Sequence, residues 1–320
     1  MINNNLVVYK NLTVYLIEGK DRLTERYMTL EEAIARGLAV LHETGNVGEL
    51  VIDNLSEWYV FVMAGDIVKG GRQDRTMATD VILKPLSRDV PLKSFCVEHS
   101  RWHQRGGEDA TYFSESKKML SDEKLKIASR YRKSQGEVWE EVERYQRDAS
   151  MALGNEVKSK ESASSLQLTL DNENLQNSVK EYIDAIRPAF EKKSDITGFA
   201  FSINGRISTA ENFGSAELFG KLRDKLLESA ASEAFSKYDG KLDYRIPSAE
   251  DVKNFIIEAK DGQENISKTG EITLEKRYET PKSILFKTYH EDKGRKEKIH
   301  TSAYNTDGLG FNDNIRNYHN

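Results

Sequence analysis

A chain of 320 residues, 38% of them hydrophobic, is long enough to bury a sizeable core, which excludes disorder of the whole chain. Its 47 basic and 52 acidic residues leave a net charge of −5 spread along the sequence, so no field is built for nucleic acid or an anionic membrane. No run of eighteen apolar residues occurs, the opening MINNNLVVYKNLTVYLIEGK has no leader-type pattern, and Cys96 stands alone, so the expected location is the cytoplasm and no internal disulfide can form.

The first hundred residues read mainly as β. Strand-length runs at 12–17, 49–54, 58–65, 76–86 and 92–99 are rich in Val, Ile, Tyr and Phe and are separated by Gly, Asn, Pro and Asp. One helix interrupts them in TLEEAIARGLAVL, where Thr29 and Glu32 form a capping-box pattern and Leu30, Ala33, Ile34 and Leu38 an apolar stripe. From 104 to 135 the chain turns polar and charged, which predicts a long excursion from the core with a short helix. Val138, Val142, Tyr145 and Ala149 then predict a helix over about 137–152, and KSKESASS after it reads as a loop in preference to a linker.

A second helix follows in VKEYIDAIRPAF. The Asn204-Gly205 pair between apolar runs predicts a hairpin over 196–208. A third long helix follows Ser215, its expected cap, and after the short amphipathic AEDVKNFIIEA the chain returns to strands in GEITLEKRYE, SILFKTYHE and KEKIHTSAY. The last fifteen residues read as a frayed tail. Strands at both ends with helices between them predict one α+β domain over 1–320, with a mostly antiparallel sheet or a β-sandwich with flanking helices. Without internal repeats or regular βα alternation, a Rossmann or barrel fold is disfavoured.

Two polar clusters stand near strand ends, KGGRQDR at 69–75 and CVEHSRW at 96–102, and a meander through 76–92 can set their strands side by side. Gly70 and Gly71 permit positive φ and close backbone approach, while Arg72 and Arg75 offer planar forks suited to phosphate or carboxylate. With Gln73, Arg101 and Trp102 they make a candidate ligand-binding corner, and Trp102 suits stacking on a flat ring, though a Trp at a strand exit also serves as a core lid. Glu98 is the candidate catalytic residue, a general base. The competing reading is a buried latch in which Arg72 or Arg75 pairs with Glu98 or Asp74, because an unpaired buried carboxylate is costly. Cys96 reads as a buried structural thiol, and His99 and His103, four apart but not on an expected helix, predict no metal site. Arg206 and His300 are further polar candidates without an assigned partner.

The stretches TLEEAIARGLAVLHETGNVGELVIDN, VFVMAGDIVKGGRQDR, CVEHSRW, GEVWEEV and GFAFSINGRISTAENFGSAELFGKLRDKLL together resemble the ARG and rhodanese-phosphatase-superfamily-associated protein domain, over residues 6 to about 235 and onward toward HTSAY. KGGRQDR and CVEHSRW are the most specific parts. That family has no settled activity; its name implies an association with ADP-ribose or phosphate-ester metabolism, in bacterial conflict systems. The resemblance carries its recurring polar positions onto Gly71, Arg72, Gln73, Arg75, Cys96, Glu98, Arg101 and Trp102, and Ser100 stands where it implies a glycine.

Three functional readings result, in order of preference. The first is a binding domain for a phosphate-bearing small molecule, an ADP-ribose-like nucleotide foremost, held by the arginines with Trp102 stacked nearby. The second makes the cluster scaffold and places function on an interaction surface such as 104–135. The third is a hydrolase with Glu98 as base and arginines stabilising transition-state charge. No cofactor is expected, nor a nucleic-acid or membrane partner, and the residues assign no oligomeric state.

Overall fold

A computed structural model describes residues 2–241 and 243–308. The hairpin Ile196–Ile203 and Arg206–Phe213 turns through Asn204 (φ 50°) and Gly205 (φ 73°), the two consecutive left-handed residues that a type I′ turn requires. It forms the middle of an eight-stranded sheet in the order Ile2–Tyr9, Leu12–Glu18, Ile196–Ile203, Arg206–Phe213, Arg295–Asn305, Ser283–Asp292, Thr273–Thr280 and Gln263–Gly270, antiparallel throughout.

On one face of this sheet the helix Ala216–Ser236, capped by Ser215 whose hydroxyl accepts from the Leu218 amide at 3.1 Å, lies on strand Ile196–Ile203. Helices Gln135–Leu153 and Glu173–Ile186 flank it. Phe199, Phe201, Phe213 and Phe219 fill the interface with ring centroids 6.0–6.2 Å apart, and Val138, Val142, Tyr145 and Ala149 are buried as their spacing predicts. The opposite face is paved with small side chains, Ala200, Ala210 and Ala303, and is crossed by the helix Ala249–Glu258.

The N-terminal β region forms two further assemblies. Glu49–Asn54, Ala39–Glu43, Tyr112–Met119, Asp66–Gly70, Arg75–Met77 and Val90–Cys96 close into a barrel, in which Val90–Cys96 pairs with both Arg75–Met77 and Glu49–Asn54. Tyr27–Thr29, Tyr59–Val62 and Val81–Leu83 make a three-stranded sheet whose first pair is parallel. The architecture is α+β with mostly antiparallel sheets. The expectation against a barrel rested on missing βα alternation, which bears only on parallel α/β barrels and not on a small antiparallel one.

Three local expectations are corrected. The helix in TLEEAIARGLAVL spans only Leu30–Ala35: its Thr29–Glu32 capping box is present, but Gly37 (φ 66°) ends it with the Gly37 amide on the Ile34 carbonyl and the Leu38 amide on the Ala33 carbonyl, and Ala39–Glu43 is a barrel strand. TMATDVILKPL is two short strands in different sheets, broken at 78–80 where Asp80 is buried. The stretch 104–135 returns to the core, with Tyr112–Met119 in the barrel, a helical turn Glu123–Ile127 widening into a π-helical segment Ala128–Arg132, and Leu120, Leu125 and Ala128 in the main core. Of the tail expected to fray, residues 309–320 lie outside the described residues. No helix among the described residues is long and apolar enough to cross a membrane.

Candidate functional site

The barrel brings the two polar sequence clusters together. Arg75–Met77 runs antiparallel to the end of Val90–Cys96, with Cys96 opposite Arg75, and the Val97 amide donates to the Asp74 carbonyl at 3.0 Å. Both clusters therefore leave the same barrel rim and pack on each other.

The glycines serve this packing. Gly70 (φ 109°) and Gly71 (φ 54°) both lie in the left-handed half of the map, and a Cβ on Gly71 would fall 2.3 Å from the Phe113 ring. Their polar groups are engaged internally: the Gly71 amide donates to the Asp109 and Tyr112 carbonyls, the Gly70 amide to Asp74 Oδ1 at 3.3 Å, and both carbonyls accept from Arg101.

Beneath them lies a charged cluster. Glu98 is fully buried; its Oε2 sits 2.7 Å from Arg101 Nη2 and accepts the Asp74 amide at 3.1 Å, while its Oε1 lies 3.5 Å from Arg105 Nη1. Arg105 grips Asp74 with two nitrogens at 2.7 and 3.0 Å and Glu108 at 2.7 Å, and the Ser165 hydroxyl adds a bond to Asp74 at 2.9 Å. Gln73, also buried, donates to the Glu98 carbonyl at 2.9 Å. Burial pushes the Glu98 carboxyl up, but the hydrogen bonds of Arg101 and Ser162 and the Arg101 charge outweigh it and hold the group below the ordinary carboxylate range.

Arg75 occupies a second buried position. Its guanidinium pairs with Glu43 at 3.3 Å, donates to the Val47 carbonyl at 3.3 Å and contacts Cys96 Sγ. Burial pushes the Cys96 thiol up to about 11, with Arg75 opposing, so the sulfur stays protonated at neutral pH and is a poor nucleophile. Arg72 and Trp102 are the candidates that face outward. Trp102 is 43% exposed, with the Arg72 guanidinium 5.4 Å and the Arg75 guanidinium 5.8 Å from its ring. Arg72 is exposed and forms no ion pair with a carboxylate among the described residues; only its backbone amide reaches Glu43, at 3.3 Å.

All eight sequence candidates thus gather at one rim, in three layers: Glu98, Gln73 and Arg101 in the buried cluster, Arg75 beside Cys96, and Arg72 with Trp102 outside, the glycines shaping the turn between them. Arg105, Ser165, Glu43 and Glu108 were not foreseen. Arg105 sits in a polar stretch that reads as an excursion, and Ser165 ends a Ser-rich loop; the presence of two carboxylates, Asp74 and Glu98, in one candidate latch was the available signal that a further cation was required. Ser100, at φ 73°, adopts the left-handed conformation for which a glycine is suited.

The remaining candidates lie elsewhere. His99 packs its ring 4.4 Å from that of Trp139, and Arg206 bonds Glu123 at 2.6 Å. His300 is buried between Asp80 and Glu211, each at 2.8 Å, and Asp80 also binds Arg130 at 2.8 Å, so this network ties the break in TMATDVILKPL to the large sheet and the π-helical segment. Among the described residues no group of three or more His, Cys, Asp or Glu side chains is placed to hold a metal.

Comparison with known proteins identifies a family. No curated protein matches the chain, and no solved structure does. The sequence profile of the ARG and Rhodanese-Phosphatase-superfamily-associated Protein domain matches residues 3–304, nearly the whole described chain and both polar clusters. The chain belongs to the ARG and Rhodanese-Phosphatase-superfamily-associated Protein domain family.

Proposed function

We propose that this chain is a non-catalytic binding domain for a phosphate-bearing small molecule with a flat ring, an ADP-ribose-like nucleotide being the leading class, and that Arg72 and Trp102 make the contact. The observation that carries the reading is the division of labour among the cations. Arg75, Arg101 and Arg105 are engaged by Glu43, Glu98, Asp74 and Glu108, whereas the Arg72 guanidinium forms no ion pair among the described residues and lies over an exposed indole. A guanidinium on an indole presents its edge N–H groups to an anion, and the free part of the ring accepts a base. The buried cluster fixes the backbone beside this pair through Gly71, Gln73 and Arg101, which lowers the ordering cost of binding.

Catalysis by Glu98 has less support, because both of its oxygens already face Arg101, Arg105 and the Asp74 amide, and a general base must reach the proton it removes. The same enclosure supports a second reading, in which the whole cluster is a latch and function lies on another surface.

The test is a thermal-shift screen against phosphate, AMP, ADP-ribose and NAD, with Arg72→Ala and Trp102→Ala alongside. A ligand at a hundred times its Kd adds about 2.7 kcal/mol. A shift lost in both folded variants supports binding; no shift with any compound leaves the latch reading in place.

A further inference from the structure

A different feature stands on the far side of the large sheet, between the helix Ala249–Glu258 and the strands it crosses. A cleft of about 420 Å³ opens there, within the size range of small-molecule sites. Its floor and walls are mainly apolar, with Ile17, Ala210 and Ala303 from the sheet and Ile256 and Ile257 from the helix beside the polar Asn212 and Thr301, and its charged lining is Lys253, Lys260, Lys287 and Lys298 with one carboxylate, Glu250.

The lysines are brought together by a specific irregularity. Lys298 and Thr301 stand three positions apart, a spacing that sends side chains to opposite faces of a regular strand. The register slips here: Thr288 pairs with His300 but Tyr289 with Lys298, leaving Ile299 as an extra residue. This bulge places Lys298 on the cleft face with Thr301, beside Lys287 of the neighbouring strand, while His300 still points into the buried network.

Three of the four charges have no ion-pair partner among the described residues. Lys253 pairs with Glu250 at 3.1 Å, but Lys260, Lys287 and Lys298 form no ion pair among the described residues. The carboxylate that acts on Lys287, Glu264, is bonded to Lys276 at 3.1 Å and to Tyr278. Lys287 instead lies 4.1 Å from the Tyr278 ring centroid. Burial first, and neighbouring cations after it, hold the Lys287 and Lys298 ammonium groups below their ordinary range, so an anion entering the cleft would relieve an unfavourable arrangement.

We propose that this cleft binds a soluble amphipathic anion, an acyl or aryl body seated against the alanine floor with a terminal carboxylate or phosphate held by Lys287, Lys298 and Lys260. The site is independent of the Arg72–Trp102 reading, and Arg72→Ala leaves it unchanged.

Isothermal titration of the full chain with octanoate and octyl phosphate, with octanol as the neutral control, tests it. At least one anion gives saturable heat, octanol binds at least tenfold more weakly, and Lys287→Gln with Lys298→Gln lowers the affinity at least tenfold without lowering Tm. No heat with either anion, equal binding of octanol, or unchanged affinity in the folded double variant overturns the proposal. So does co-sedimentation with phosphatidylserine vesicles in the absence of any binding to the free anions, which would make the lysines a membrane contact. If the double variant melts early, Ala249→Trp, at a half-buried position lining the cleft, decides: it abolishes binding if the anion occupies the cleft, and retained binding overturns the assignment.

Discussion

Glu98→Gln removes one charge from the buried cluster and keeps its shape. Arg101, 5% exposed, would then retain the Gly70, Gly71 and His103 carbonyls and Asp74 at 3.7 Å, but lose the carboxylate at 2.7 Å. Breaking a buried pair by neutralising one partner costs about 3–5 kcal/mol, and the surviving acceptors place this variant near the lower end, about 3 kcal/mol. With an unfolding entropy of roughly 2.1 cal/mol/K per residue, a cooperative loss of this whole chain lowers Tm by about 4 °C. The acid side has a definite sign. Because the folded Glu98 carboxyl lies below its ordinary value of 4.5, its contribution is complete above that value and is lost as pH falls through the lower folded one. The gap between parent and variant is therefore widest at neutral pH and closes in acid. Thermal melts from pH 3 to 8 measure it. A variant melting within 1 °C of the parent at pH 7 would refute the latch, and one that keeps its Tm but loses a turnover would move Glu98 into catalysis.

Three further outcomes follow from the same geometry. Gly71→Ala combines a positive φ with a Cβ 2.3 Å from the Phe113 ring and is expected to lose about 2–4 kcal/mol in a denaturant titration; a loss below 1 kcal/mol would mean the barrel rim yields easily. His300 is held up to about 9: burial opposes its charge, but Asp80 and Glu211 on either side outweigh it. Its contribution is full below 6.5 and is lost as pH rises through about 9, roughly 3 kcal/mol over that window, and a flat alkaline limb in thermal melts would contradict the assignment. Ser100→Gly relieves a left-handed backbone at φ 73° and should raise stability by up to about 1 kcal/mol in the same melts, whereas a clear loss would show that the serine side chain contributes more than its backbone costs.

What the sequence made legible was local. The Asn204-Gly205 turn, the Thr29–Glu32 box and the Ser215 cap specify short-range hydrogen bonds, and all are present. The helix Gln135–Leu153 was legible because four buried side chains share one face. Closure of the barrel was not, because it depends on Ala39–Glu43 and Tyr112–Met119, one read as the end of a helix and the other hidden in a polar stretch where Phe113 and Met119 are buried but Tyr112 is exposed. At the rim, residue types singled out Asp74, Glu98, Arg72, Arg75 and Arg101, but neither their pairing nor the partners Arg105, Glu43 and Glu108 that distant segments supply. Arg105 took Asp74 and Arg101 took Glu98, while Arg75 went to Glu43 on another strand. That partition leaves Arg72 as the exposed cation.

The central claim is that Arg72 and Trp102 recognise a phosphate-bearing ring compound while the cluster beneath them is structural. Isothermal titration with ADP-ribose tests it most directly, on the parent, Arg72→Ala and Trp102→Ala, with each variant's Tm measured first. The account predicts saturable binding to the parent, at least tenfold weaker binding to each variant, and melting temperatures within about 1 °C of the parent because both side chains are exposed. Equal affinity in all three proteins, or no binding to the parent, would contradict it.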